Sequence, residues 1–135
     1  MNGFEILTAQ HREVEALFGR YSGEPDDATA RRICELLTRH THLEEQALYP
    51  ELRRLVDNGD DFADQAEAEH ALAQTIIAHI YDSPPDDLRP VVEELERTVS
   101  AHVRDEEDRL FPAMIEVGVD ADKLASKLQA ATATE

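Results

Sequence analysis

Two short stretches of the chain carry residues able to hold metal, and they carry them at the same spacing. Residues 40–50 read HTHLEEQALYP and residues 102–112 read HVRDEEDRLFP. Each sets a Glu four residues after a His, His40 with Glu44 and His102 with Glu106. Each then ends on a leucine, an aromatic and a proline. Residues four apart on an α-helix are offset by only about 40° and stack on one face. A His-x-x-x-Glu pair can therefore direct an imidazole and a carboxylate at one point. Neutral imidazole suits iron, zinc or copper, and carboxylates able to bridge suit a pair of ions.

Such pairs need helices to aim them. Four segments show helical periodicity, at about 3–21, 27–56, 62–82 and 87–117, separated by SGEPDD, DNGDD and SPPDD. Each breaker ends in Asp, which predicts an N-cap for the helix that follows. Pro90 falls in the first turn of the fourth helix, where a missing N–H costs little. A short fifth helix is expected from Asp120 to about Gln129, followed by a frayed tail, ATATE. Short loops make successive helices antiparallel. The expected fold is all-α, an up-down-up-down four-helix bundle over 1–118, with 119–135 forming the short C-terminal helix and tail.

Apolar stripes at spacings of three and four support the bundle. They run through Phe4, Leu7, Val14 and Phe18; Ile33, Leu37, Ala47 and Leu48; Ala66, Ala73, Ile77 and Ile80; and Val92, Leu95, Val99, Leu110 and Ala113. Polar residues interrupt every stripe. The first passes through His11, the second through His40 and Glu44, the third through His70, and the fourth through His102 and Glu106. Four imidazoles and two carboxylates would thus meet at the bundle axis. Six ligands exceed one tetrahedral zinc, whereas two iron ions sharing the carboxylates would use them all. Packing alone gives no reason to bury six polar groups at one depth. His42 and His79 lie about 200° and 180° from their inward neighbours and should face outward. The second Glu of each copy, Glu45 and Glu107, should turn about 100° away from the axis. Tyr49 and Phe111 lie beside a proline bend and read as packing residues, with a redox or hydrogen-bonding role as the alternative for Tyr49.

Composition narrows the function classes. At 135 residues the chain is expected to form one domain. Its net charge of −17 argues against nucleic acid and anionic membranes as partners. No apolar run is long enough to span a bilayer, and the N-terminus lacks the order of a signal peptide. A single cysteine, Cys34, reads as a core or edge residue and fits a reducing, cytoplasmic setting.

The ordered set H…HxxxE…H…HxxxE, in LTAQHREVEALF, HTHLEEQALYPEL, AEHALAQ and HVRDEEDRLFPAM, resembles the hemerythrin-like (HHE cation-binding) family over about residues 4–117. The resemblance implies a non-haem di-iron centre with oxo or hydroxo and carboxylate bridges. His11 and His40 would hold one iron, His70 and His102 the other, and Glu44 and Glu106 would bridge them. Two departures stand out. Oxygen-carrying members have a second His four residues after the third-helix His, where this chain has Gln74. Their fourth-helix carboxylate lies five residues after its His, which would be Glu107; the parallel with His40 and Glu44 favours Glu106. The missing imidazole counts against reversible O2 carriage and leaves either an open position or a place for Glu15. Both outcomes make the irons less unequal in ligand count than a carrier's.

The implied ligand is a small oxidant: O2, peroxide or nitric oxide. Three functions fit: catalase-like peroxide disproportionation, a non-enzymatic O2 or NO sensor or O2 or iron store, and a metal-free or zinc-bound structural bundle. The sensor would need a partner protein to pass its signal on. A monomer or homodimer is expected.

Overall fold

The computed structural model describes residues 1–133, which form helices joined by short turns, with no strand among them. Helix α1 spans Gly3–Gly23, and α2 spans Asp27–Leu43. A π-turn, Glu44–Leu48, joins α2 to α3, Tyr49–Leu55, as one continuous rod. Helix α4 spans Gly59–Asp82. After a 3-10 turn at Pro85–Asp87, a second rod is built of α5, Leu88–Asp105, a π-turn at Glu106–Leu110, and α6, Phe111–Glu116. Helix α7, Ala121–Ala133, ends the described chain. The four long rods form the antiparallel bundle, and α7 packs on α1 and on the first π-turn.

Local chemistry explains the helix ends, with some departures from the sequence expectation. Asn2 and Glu5 form a reciprocal capping box on α1. Asp26 caps α2 by accepting the Thr29 N–H at 2.7 Å. The other two breakers do not use Asp in this way. Helix α4 starts three residues earlier than expected, because Asn58 adopts a left-handed conformation (φ 61°) and turns the chain straight into the helix. Gly59 is needed there, since a Cβ would strike the Leu52 carbonyl. Asp87 occupies the cap position of α5 without a side-chain bond. At the far end Asp120 accepts N–H bonds from Asp122 and Lys123, and α7 continues through Ala133, so Ala131–Ala133 of the expected frayed tail are helical. Thr134 and Glu135 lie outside the described residues.

The two π-turns follow from the repeat. Pro50 and Pro112 cannot donate a helical N–H, and their rings crowd the carbonyl four residues back. Each helix responds by widening: Tyr49 N–H bonds to the Glu44 carbonyl and Phe111 N–H to the Glu106 carbonyl, five residues back. The extra residue moves the buried face on by one position. Beyond the first turn Tyr49 and Leu52 are buried, and beyond the second Phe111 and Met114. Ala113, expected in the core, is consequently only half-buried.

Burial of the stripes splits into two apolar clusters. One contains Val14, Phe18, Ile33, Leu37, Ile77 and Leu95. The other contains Phe4, Leu7, Leu48, Leu52, Ala66, Met114 and, from α7, Leu124 and Leu128. Between them along every long helix lies a polar belt. Cys34 belongs to the first cluster, and burial pushes its thiol up to about 11, so it is an inert apolar filler.

Candidate metal centre

The belt consists of His11 from α1, His40 from α2, His70 from α4, His102 from α5, and Glu44 and Glu106, the first residues of the two π-turns. All six are buried, and neither Glu side chain has any exposed surface. Two sets of four residues each offer ligand atoms within 4.8 Å of one another: His11, His40, Glu44 and Glu106 in one, and Glu44, His70, His102 and Glu106 in the other. Both carboxylates belong to both sets. His42 and His79 are exposed. Glu15 pairs with Arg12 at 2.6 Å on the surface, and Gln74 lines a separate groove with Arg39, His42 and Tyr81. Neither reaches the belt.

The two sets are related by a pseudo-two-fold. His11 and His40 rings lie 4.8 Å apart at 66°, and His70 and His102 repeat the same values. In each pair the Nε2 atoms are 3.2 Å apart. Glu106 Oε1 lies 3.1 Å from His11 Nε2, and Glu44 Oε1 lies 3.1 Å from His70 Nε2.

The outer nitrogens decide the tautomers. His11 Nδ1 faces Glu107 Oε2 at 2.7 Å, and His40 Nδ1 faces Gln10 Oε1 at 2.6 Å. His70 Nδ1 faces Glu45 Oε1 at 3.4 Å, and His102 Nδ1 faces Glu69 Oε1 at 2.6 Å. Each acceptor takes the Nδ1–H and leaves an Nε2 lone pair aimed inward. Four inward lone pairs and two buried carboxylates repel one another unless a cation lies between them. Glu44 Oε2 is moreover fully buried with no hydrogen-bond partner, a loss of about 1–3 kcal/mol or more for a charged group. A shared metal pair would satisfy all of these atoms, so the donor set fits one.

Protonation shows the same demand for positive charge. Burial alone would lower the basicity of His102, yet the charge of Glu106 and hydrogen bonds with Glu106, Glu44 and Glu69 push it up to about 12. Burial likewise works against His11, but its contacts with Glu106 and Glu44 raise it. Glu44, despite complete burial, is held well below the usual carboxylate range by the charge of His40 and by hydrogen bonds. The hydrogen bond with His102 keeps Glu69 below that range too.

Three parts of the site depart from the sequence expectation or escaped it. Glu107 and Glu45 do not simply turn to solvent; each stands behind an imidazole of a neighbouring helix. Gln10 and Glu69, each one residue before an inward His, were hidden because their role depends on the adjacent helix. Tyr49 is no mere packing residue: its hydroxyl donates to Glu106 Oε2 at 2.9 Å and lies 2.9 Å from His70 Nε2. Burial, Glu44 and Glu106 push its phenol pKa well up, so it stays protonated. Phe111, its counterpart in the repeat, stacks on His11 with centroids 6.1 Å apart and planes at 3°. The available signal was the Tyr/Phe mismatch at equivalent positions.

At the open end of the four imidazoles lies a cavity of about 20 Å³, walled by Val14, Leu37, Ala73, Val99 and Val103. Room for one water-sized molecule takes roughly 10–15 Å³.

A helical bundle with a buried His4Glu2 belt is a metal-binding domain. The chain belongs to the hemerythrin HHE cation binding domain family, whose sequence model matches residues 2–114. Among curated proteins it is similar to one named DNA nickase from Nostoc sp. (strain PCC 7120 / SAG 25.82 / UTEX 2576), at 31% identity over 121 residues. That match covers 84% of this chain and 34% of the relative, so the chain spans about a third of that protein's length. No solved structure matches the chain. No helix among the described residues is long and apolar enough to cross a membrane.

Proposed function

We propose that this is a non-haem di-iron protein that binds small oxidants and turns over hydrogen peroxide. His11 and His40 would hold one iron, His70 and His102 the other, and Glu44 and Glu106 would be shared. The observation that carries this reading is the pair of buried donor sets with both carboxylates in common, set against a cavity for one small molecule. Carboxylates able to bridge, with imidazoles, suit two iron ions better than one tetrahedral zinc. Bound iron would supply a reversible one-electron change and a position for the oxidant.

The chain's own residues do the rest. Glu107, Gln10, Glu45 and Glu69 fix the imidazole planes. Val14, Leu37, Ala73 and Val99 restrict the cavity to small, uncharged ligands. Tyr49, in the apolar cluster on the other side of the belt from this cavity, keeps its phenol proton and donates a hydrogen bond to Glu106, which fixes and tunes that carboxylate. A second reading, reversible O2 or NO binding without turnover, draws on the apolar cavity wall. The nicking activity in the relative's name does not carry over: with a net charge of −17 the chain is poorly suited to gripping phosphates.

Oxygen evolution from peroxide added to iron-loaded protein tests the proposal. Evolution above free iron, lost in His40→Ala and His102→Ala, supports turnover. Ligand binding without evolution favours the second reading. An iron-free protein ends both.

A further inference from the structure

The pseudo-two-fold that relates the halves of the centre breaks in one charged place. Gln10 and Glu69 occupy equivalent positions, each immediately before an inward His. They make equivalent contacts, 2.6 Å to His40 Nδ1 and 2.6 Å to His102 Nδ1. One carries an amide and the other a carboxylate. The remaining outer partners widen the difference. Glu107, behind His11, forms an ion pair with Arg12. Glu45, behind His70, and Glu69 face no Lys or Arg within ion-pair distance among the described residues. Arg12 is shared with Glu15 at the surface, so the outer shell of the His11–His40 half carries about one net negative charge, against two for the His70–His102 half.

A carboxylate accepting from a ligand imidazole makes it a stronger donor, and its charge adds directly to the field at the ion. Both effects favour the more positive ion. We propose that Glu69, standing where its counterpart is Gln10, makes the halves electrically unequal, so that His70 and His102 hold the ferric ion whenever the pair contains one ferric and one ferrous iron. Glu69 acts through His102 and is a positioning and tuning residue. This inference rests on the di-iron reading above.

The test is a stepwise reductive titration of iron-loaded protein, followed by absorbance and by paramagnetic resonance of the half-reduced form. Two one-electron steps are expected, the higher for the His11–His40 half and the lower for the His70–His102 half. Glu69→Gln keeps an acceptor for His102 and removes the charge. It should raise the lower step and leave the higher nearly in place. Gln10→Glu should lower the higher step and leave the lower nearly in place. Each change is expected to be on the order of tenfold in the equilibrium constant, about 59 mV for a one-electron couple. The exchanged double variant should restore the separation. Equal movement of both steps in either variant, or no movement in both, overturns the proposal. Iron-loaded protein with no two-step reduction overturns the di-iron reading beneath it, and metal content measured alongside tells the two failures apart.

Discussion

The two halves of the centre present the same His–His geometry, 4.8 Å and 66°, to the same two carboxylates. Their surroundings differ. Beside His70 stands the hydroxyl of Tyr49; beside His11 lies the bare ring of Phe111. Behind His102 is a carboxylate, and behind His40 an amide. The repeat therefore supplies a symmetric cradle, and a few substitutions give each half its own chemistry. A symmetric donor set is what two ions need to be held; asymmetry is what lets them behave differently.

The largest effect should come from breaking what the halves share. Glu44→Ala or Glu106→Ala should strip both ions, whereas His40→Ala should lower metal content toward one per chain. His42→Ala and His79→Ala should change nothing. Metal analysis of purified variants reads all five, and loss of metal in either exposed-His variant would contradict the assignment of inward and outward faces. Next in size is the exchange of the aromatics. Tyr49→Phe gives both halves the same aromatic and should leave metal content unchanged while slowing peroxide breakdown by about 10–100-fold. An undiminished rate would show that the hydrogen bond from Tyr49 to Glu106 plays no part in turnover.

A third effect concerns charge in metal-stripped protein. His102 is pushed up to about 12 from an unfolded value near 6.5. Its contribution to stability is complete below about pH 6.5 and is lost as the pH rises toward 12. Glu44, held low, contributes above about pH 4.5 and loses that contribution in acid. Melting temperature should therefore fall on both sides of neutrality, and His102→Gln should flatten the alkaline limb. An unchanged alkaline limb would show that His102 is not the group responsible.

The smallest effect lies at the ends of the bundle, which also differ. Helix α7 closes the Phe4–Leu48 end, where Lys127 pairs with Glu51 and keeps its carboxyl low. Glu51→Gln should loosen α7 by about 0.5 kcal/mol, seen as faster amide exchange confined to residues 121–133.

Much of this architecture is legible in the sequence, because the periods of four long helices fix which residues face inward. Phe4, Leu7, Ile33 and Leu95 mark the axis, and His11, His40, His70 and His102 fall on the same series. What stayed hidden is of two kinds. Gln10, Glu69, Glu45 and Glu107 sit one residue off that series and act on the neighbouring helix, so no single helix reveals them. Tyr49 lies five residues beyond Glu44, which on a regular helix points elsewhere. Only the π-turn at Pro50 adds the extra residue that swings it inward, and the matching turn at Pro112 exchanges Ala113 for Met114 in the core.

The most direct test of the central claim is the metal content of protein purified from iron-supplemented cells, read together with its near-ultraviolet spectrum. Close to two irons per chain, with a bridged-diferric band that disappears in His40→Ala and in His102→Ala, is the predicted result. One zinc per chain, or no metal with the fold intact, would contradict it.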